Sequence, residues 1–327
     1  MSRQITMLSW NFEDNGGRDA VKRRRAHERL VRLNPHVVFR QEMWEADADG
    51  DAVMYRLEEI LGLRGWLGPR ACTAVFADPR VFQPVRQWPQ TGPLWVLPPT
   101  ALTMRFLPAG TEATPMILAS YHLNYASAAH RLAEAEWLST WADKKWTTPG
   151  GETVRMPAVL AGDNNSYPAP GVQGDPALPA LGKINDRPHC LHRFYAGPSG
   201  ARRTDTRPDE ALRLAGLEDV ARHRAVKHAD RAAVSRTVNG CATHGPDSRV
   251  DRVYVTADLL SAVSGVDVIE VDEDESDHHI VRVALDADSL ADVLNQQAVE
   301  AVAGPRADGR RTKTSSAQGT DPKSEQG

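Results

Sequence analysis

The chain has 327 residues, 41% hydrophobic and 25% charged, enough for one large domain or two ordinary ones around a substantial core. A net charge of −4 argues against a protein that coats nucleic acid by bulk charge, while leaving room for local basic patches. Three widely spaced cysteines make no disulfide framework, and no apolar run is long enough to span a bilayer. Met1-Ser2-Arg3-Gln4 leads straight into a strand without a signal-peptide core, so the expectation is a cytoplasmic protein with no membrane partner.

Ile5 to Trp10 alternates loosely and reads as a first strand, ending at Asn11 before the turn residues Asn15-Gly16-Gly17. Arg18 to Leu33 reads as a helix stopped by Pro35, its arginines and Lys22 forming a solvated outer face. Val37-Val38-Phe39 is a short buried strand that delivers Glu42, and Asp51 to Leu61 is an amphipathic helix. Strands follow at 72–76, 101–106 and 115–121, the last delivering His122. Ser127 to Trp146 carries the clearest helical spacing, with its tryptophans read as packing residues.

Pro157 to Ala161 is an apolar run suited to a strand covered on both faces. Gly162 is expected to end it, so that Asp163 and Asn165 project from its carboxyl end, where open α/β sheets place their sites. Residues 166–247, rich in Pro, Gly, Arg and His, are too long for a simple connection and read as a loop insertion over a site, with one helix from Asp209 to Leu217. Strands resume at 249–255, 260–271 and 279–285. The organisation is one domain over 1–303 followed by a disordered tail, 304–327.

Polar groups recur just after apolar runs or beside them: Asn11, Glu42, His122, Asp163 with Asn165, Asp251, and Asp277 with His278. Oxygen donors such as Glu42, Asn11 and Asp277 suit a hard cation, Mg²⁺ or Mn²⁺, and two histidines with a spare carboxylate can activate water and handle a leaving group. Each has an ordinary alternative. Asp163 to Asn165 can be an Asx turn, Asp251 an ion-pair partner of Arg249 or Arg252, and His122 a structural histidine. No nucleotide-binding loop or serine-hydrolase elbow is present in the sequence.

The order of these pieces resembles the endonuclease/exonuclease/phosphatase superfamily, the group of DNase I-like nucleases, exonuclease III-like repair enzymes, sphingomyelinases and inositol polyphosphate phosphatases. The matching residues are Leu8-Ser9-Trp10-Asn11, the run from Asn34 to Glu42, Tyr121-His122-Leu123, Gly162-Asp163-Asn164-Asn165, Ala215 to Asp219, Ser248 to Tyr254, and Ser276-Asp277-His278. Together they span roughly Ile5 to Leu285. The resemblance implies an α/β (α+β) fold, a four-layer sandwich of two mixed β-sheets flanked by helices, with its site at one edge. It implies a divalent-metal-dependent phosphoesterase acting on nucleic acid or another phosphodiester, a nuclease in the leading version. The alternatives are a phosphatase or phosphodiesterase for a small phosphorylated metabolite or lipid headgroup, and a non-catalytic binding protein of the same fold.

The same resemblance assigns Glu42, Asn11 and Asp277 to the metal, with Glu13 as a further candidate acid. Asp163, steadied by Asn165, would activate or orient water. His278, paired to Asp251, would contact the phosphate, and His122 would bind phosphate or assist the leaving group. Which of Asp163 and His278 is the base stays open. His36 stands where an acid is usual, and His279 follows His278 where proline is common.

Two further features lie in the 166–247 stretch. Cys190, His192, Cys241 and His244 offer donors for a zinc staple, although the spacing is not that of a standard finger. Its arginines, among them Arg187, Arg193, Arg202, Arg203 and Arg207, exceed its acids and form either a basic wall beside the site or merely compositional bias.

Overall fold

A computed structural model describes residues 4–89 and 92–303. The first half contains β1 Gln4–Asn11, α1 Ala20–Arg32, β2 Val37–Gln41, α2 Ala48–Leu61, β3 Arg64–Leu67, β4 Thr73–Ala77, β5 Phe82–Trp88, β6 Thr100–Phe106 and β7 Met116–His122. Next come α3 Ala128–Ser139, β8 Lys145–Thr147, β9 Thr153–Arg155, β10 Ala158–Asp163, α4 Arg187–His192, β11 Phe194–Ala196 and β12 Arg202–Thr204. The chain continues through α5 Arg207–Leu214, β13 Leu217–Asp219, α6 Val220–His228, β14 Asp251–Thr256, β15 Val263–Ile269, β16 Ile280–Asp286 and α7 Ala287–Ala303.

Two six-stranded sheets result, ordered β15-β16-β1-β2-β4-β3 and β13-β14-β10-β7-β6-β5, with β8-β9 and β11-β12 as separate hairpins. Both sheets are mixed: β1 runs parallel to β2 and antiparallel to β16, while β10 runs parallel to β7 and antiparallel to β14. The period-2 geometry of strands sorts their side chains into layers. Met7, Val37, Phe39, Leu118, Val159, Ala161, Val253 and Val283 point inward and form the cluster between the sheets. Leu8, Trp10, Val38 and Phe76 point the other way, onto Ala26 and Leu30 of α1 and Met54 and Leu57 of α2. On the opposite side Ala119, Tyr121, Leu160 and Tyr254 meet Ala135 and Leu138 of α3 and Leu212 of α5. The four layers are therefore helix, sheet, sheet, helix, the sandwich expected above.

Several boundaries differ from expectation. The helix begun at Ser127 stops at Ser139, and Lys145–Thr147 is a strand that hairpins onto β9 through Pro149-Gly150-Gly151. Trp141 packs in the core as expected, but Trp137 is 54% exposed. Gly162 does not end its strand; β10 continues to Asp163. The strand expected over 260–271 begins only at Val263, because Ala257–Ala262 turns as a 3-10 helix. Within 166–247, β13 is an edge strand of the second sheet, and Val220, Ala221, Ala233 and Val234 lie in the central cluster. Only part of that stretch lies outside the sandwich. The tail, 304–327, lies outside the described residues.

Candidate active site

Strand register brings three polar side chains together. His122, the last residue of β7, is paired with Asp163, the last of β10, and Asp163 is paired with Asp251, the first of β14. In-register neighbours on adjacent strands share a face, so the three form a row across one edge of the second sheet. The ladders continue one step further, Leu123 donating to the Asp163 carbonyl (2.9 Å) and Asn164 to that of Val250 (3.0 Å). This makes the edge rigid where the row stands.

The first sheet supplies the facing wall. Asn11 ends β1 and sends Nδ2 to Oδ2 of Asp163 and to Oε1 of Glu42, 3.3 Å in each case. Glu42 follows β2 with a positive φ of 56°, which turns it out of the strand direction, and its Oε2 accepts the Asp14 backbone N–H at 2.7 Å. Beneath these ends the sheets are bonded to one another: Gln41 Nε2 donates to Ser120 Oγ (2.9 Å), which donates to the Arg40 carbonyl (2.8 Å).

His278 arrives on the loop before β16. Trp10 Nε1 donates to its carbonyl (2.9 Å), and Ser276 Oγ accepts its N–H (3.3 Å) while donating to the Asn11 carbonyl (3.1 Å). Its Nδ1 lies 2.8 Å from Asp251 Oδ2, and Nε2 stands 3.9 Å from both Asp163 Oδ2 and Asp277 Oδ1. Thr237 Oγ1 accepts the N–H groups of Val250 and Asp251, at 3.1 and 3.0 Å, which fixes the backbone under that carboxylate.

Burial sets the electrostatics. It would push the His278 imidazole down, but the Asp251 carboxylate and then Asp163 and Asp277 outweigh it and lift His278 to about 10. Burial raises the Asp251 carboxyl against the pull of His278, and we place the pair's shared proton on the imidazole. Asp163 is driven the other way. Burial would raise it, yet the His122 hydrogen bond and the charges of His122, His278 and Arg193 hold it well below the usual carboxylate range. His122, with Nε2 3.4 Å from Asp163 Oδ2, is raised in turn, the carboxylate overcoming burial. A fixed anion therefore lies between two imidazoles whose pKa values it raises.

The donors present fit a hard cation. Glu13 is raised first by burial and then by the negative charges of Asp277 and Glu42, so three carboxylates crowd one region. Asn11 Oδ1 is buried there without a hydrogen-bond donor, an oxygen that a cation would satisfy. Asp163, Asp251 and His278 make the one group of three or more acid, histidine or cysteine donors converging within 4.8 Å among the described residues. Its imidazole already bonds Asp251, whereas Glu42 and Asn11 bring oxygen donors from the facing sheet. Asp277, its side chain 40% exposed, reaches the same rim.

Asn165 sits differently from expectation. Its backbone N–H, not its side chain, holds Asp163 Oδ1 (2.6 Å), and its Nδ2 donates to the Leu123 carbonyl (2.9 Å), bracing the loop after His122. The four candidate zinc donors do not converge, and Cys190, Cys241 and Cys72 are free. Cys190 Sγ faces the Leu181 carbonyl, and His244 stacks on His189, not His192. One group absent from the sequence reading is Glu134, a buried carboxylate that accepts the N–H of Asn124 at 2.6 Å and of Val96 at 3.3 Å. Its position beside Ala135 and Leu138 on the apolar face of α3 was the available signal.

No protein-family model matches this chain, and no curated protein matches it in sequence. Solved structures match in shape. An AP endonuclease from Archaeoglobus fulgidus is 15% identical with a TM-score of 0.57, covering 86% of this chain and 99% of its own. An endonuclease/exonuclease/phosphatase from Bacteroides vulgatus is 14% identical with a TM-score of 0.57, over 86% and 98%. The D. rerio TDP2 complexed with single strand DNA product is 14% identical with a TM-score of 0.55, over 86% and 98%. At such identities the likeness establishes a shared fold.

Proposed function

We propose that this chain is a divalent-metal-dependent phosphoesterase that hydrolyses phosphodiester bonds, a nuclease in its leading form. The observation that carries the reading is the row His122–Asp163–Asp251 at adjacent strand ends, completed by His278 on Asp251 and faced by Asn11 and Glu42. Asp163, held ionised, accepts a hydrogen bond from the attacking water and aligns it. His278, oriented through Nδ1 by Asp251, presents Nε2 to a phosphoryl oxygen and stabilises the charge that develops there. His122, its pKa raised by Asp163, offers a second contact to phosphate. Glu42 and Asn11, with Asp277, would hold Mg²⁺ or Mn²⁺, which when bound neutralises phosphate charge and stabilises the leaving oxygen. Nucleic acid as substrate draws support from the named activity of the A. fulgidus protein and the single-strand DNA product held by D. rerio TDP2. The net charge of −4 favours a second reading, a small phosphorylated metabolite.

A panel of plasmid DNA, abasic oligonucleotide, single-stranded RNA, bis(p-nitrophenyl) phosphate and inositol phosphates, each with Mg²⁺, Mn²⁺ or chelator, separates these readings. Metal-dependent cleavage of the nucleic acids is expected. Full activity in chelator overturns the metal requirement. Wild-type rates in Glu42→Gln, Asp163→Asn and His278→Ala together overturn the assignment of residues.

A further inference from the structure

The arginines of the 166–247 stretch are mostly committed to holding it together. Arg202 bonds the carbonyls of Leu191 and Phe194, and Arg207 bonds Asp205 and the Ala128 carbonyl while lying over Tyr195. Arg222 bonds the Ala169 carbonyl, Arg224 pairs with Asp230, and Arg236 reaches Asn239 and Glu270. Arg193 is different. Arg187, Arg203 and Arg231 are exposed and also without a side-chain partner among the described residues, but Arg193, at the end of α4, is half-buried and its guanidinium has no hydrogen bond, carboxylate partner or aromatic face there. Its backbone, by contrast, is pinned. The preceding carbonyl, of His192, accepts Arg131 Nη2 (2.7 Å), and its own carbonyl accepts the Asp205 N–H (3.1 Å). Asp205 and Arg131 are themselves buried and paired at 2.8 Å. A half-buried guanidinium on a firmly held backbone, without a protein partner, is available to an anionic ligand.

Its surroundings say where that ligand lies. Arg193 N–H bonds the His189 carbonyl one turn back, and Arg131 ties the His192 carbonyl to that of Asn124, two residues after His122, so Arg193 lies beside the candidate site, where its charge acts on Asp163, His189 and His244. Those rings stack at 4.2 Å between centroids, 23° from parallel, joining α4 to the 241–245 turn, and His244 in turn feels Asp277 and His278. His189 Nε2 is buried with no partner. Burial and Arg193 push His189 down to about 4 and His244 down as well, and the unpartnered His189 Nε2 is a nitrogen that a ligand could reach beside the guanidinium. A planar guanidinium matches phosphate oxygens in pairs, and an unpartnered imidazole nitrogen can complete the set.

Resting on the phosphodiesterase reading above, we infer that Arg193, with His189 and His244, forms an anion subsite for a second phosphate next to the scissile one. The preferred substrate then carries at least two phosphates along one backbone.

The test compares thymidylyl-thymidine with and without a terminal phosphate, and measures binding of inorganic pyrophosphate to the full chain in chelator by calorimetry. Wild type should favour the phosphorylated dinucleotide in kcat/KM by about tenfold or more, the scale of one charge-assisted contact. Arg193→Gln should bring that ratio close to one and weaken pyrophosphate about tenfold; Arg193→Lys should restore part of both, since it returns charge without the fork. Arg56→Gln, on the exposed face of α2, should leave pyrophosphate binding as in wild type. A substrate ratio or a pyrophosphate affinity unchanged by Arg193→Gln overturns the subsite. If no phosphodiester is hydrolysed but pyrophosphate binding still depends on Arg193, the hydrolase reading falls and the subsite stands.

Discussion

Gly162→Ala perturbs fold and site through one atom. Gly162 is in register with Tyr121 on β7, and a Cβ built there would overlap the Tyr121 carbonyl oxygen, lying 2.7 Å from its carbonyl carbon and 3.1 Å from Cδ2. Carbon contacts settle near 3.5–4.0 Å, so the strands must part locally by about 1 Å. They have little freedom to do so. β10 and β7 are flanked by β14 and β6, Tyr121 is fully buried, and its hydroxyl is held by Asn164 at 2.7 Å. Overpacking typically costs about 1–3 kcal/mol, and loss of a ladder hydrogen bond or two adds about 1 kcal/mol each, so a destabilisation of about 2–5 kcal/mol is expected. Molecules that still fold carry the separation into the His122–Asp163 contact, now 3.4 Å, and a misplacement of about 1 Å costs on the order of 10²-fold in rate.

Urea unfolding followed by tryptophan fluorescence measures the first effect, and hydrolysis of bis(p-nitrophenyl) phosphate at a temperature where the variant is folded measures the second. Gly182→Ala is the control, since a Cβ there meets nothing within 4 Å. If Gly162→Ala and the control both fall within about 0.5 kcal/mol of wild type, the range for inconsequential substitutions, the close approach of β7 and β10 is refuted.

Asp251→Asn removes the charge that keeps the His278 proton in place. The imidazole pKa, read by NMR without metal, should drop by a unit or more from about 10, and kcat should fall on the order of 10²–10⁴-fold; an unmoved titration refutes the pair. Glu134 is pushed up to about 7, chiefly by burial, from an unfolded value of 4.5. A carboxyl raised in this way contributes stability below pH 4.5 that is lost as pH rises through 7. Relative to Glu134→Gln, wild type should therefore lose about 2 kcal/mol between pH 5 and 8, measured by urea unfolding at both. Asp205→Asn leaves the buried Arg131 without its counter-charge and should cost about 3–5 kcal/mol in the same assay; a cost below about 1 kcal/mol would show that the pair is not a tether.

Most of the central strands were legible because each is an apolar run ending in a polar residue, as Val37 to Gln41 and Ala158 to Asp163 are. The edges were not. β5 is largely exposed and interrupted by a register shift at Pro84, and β3 is partly exposed, so neither shows a clean period of two. α7 is not among the elements expected from sequence, although Asp286 caps it through Ser289 N–H (2.8 Å) and Leu290 and Leu294 share a buried face. Asn11, Glu42, His122, Asp163, Asp251 and His278 could be read as candidates because a strand end needs no tertiary contact to be recognised. Thr237 follows no apolar run and acts only through the backbone of Val250 and Asp251, and Glu134 is marked only by its place among the apolar residues of α3.

The contact of Arg131 with Asp205 links these distant parts into one mechanism. Arg131 lies on α3, just beyond the loop that follows His122, and bonds the Asn124 carbonyl at 2.9 Å as well as the His192 carbonyl at 2.7 Å. One buried guanidinium thus fixes the loop that follows His122 and the turn carrying Arg193. A movement of the 187–205 segment would therefore reach His122 and Arg193 together. On the proposed reading, this shared tether would couple binding at the second phosphate to geometry at the first, so that a remote phosphate would raise kcat as well as lower KM.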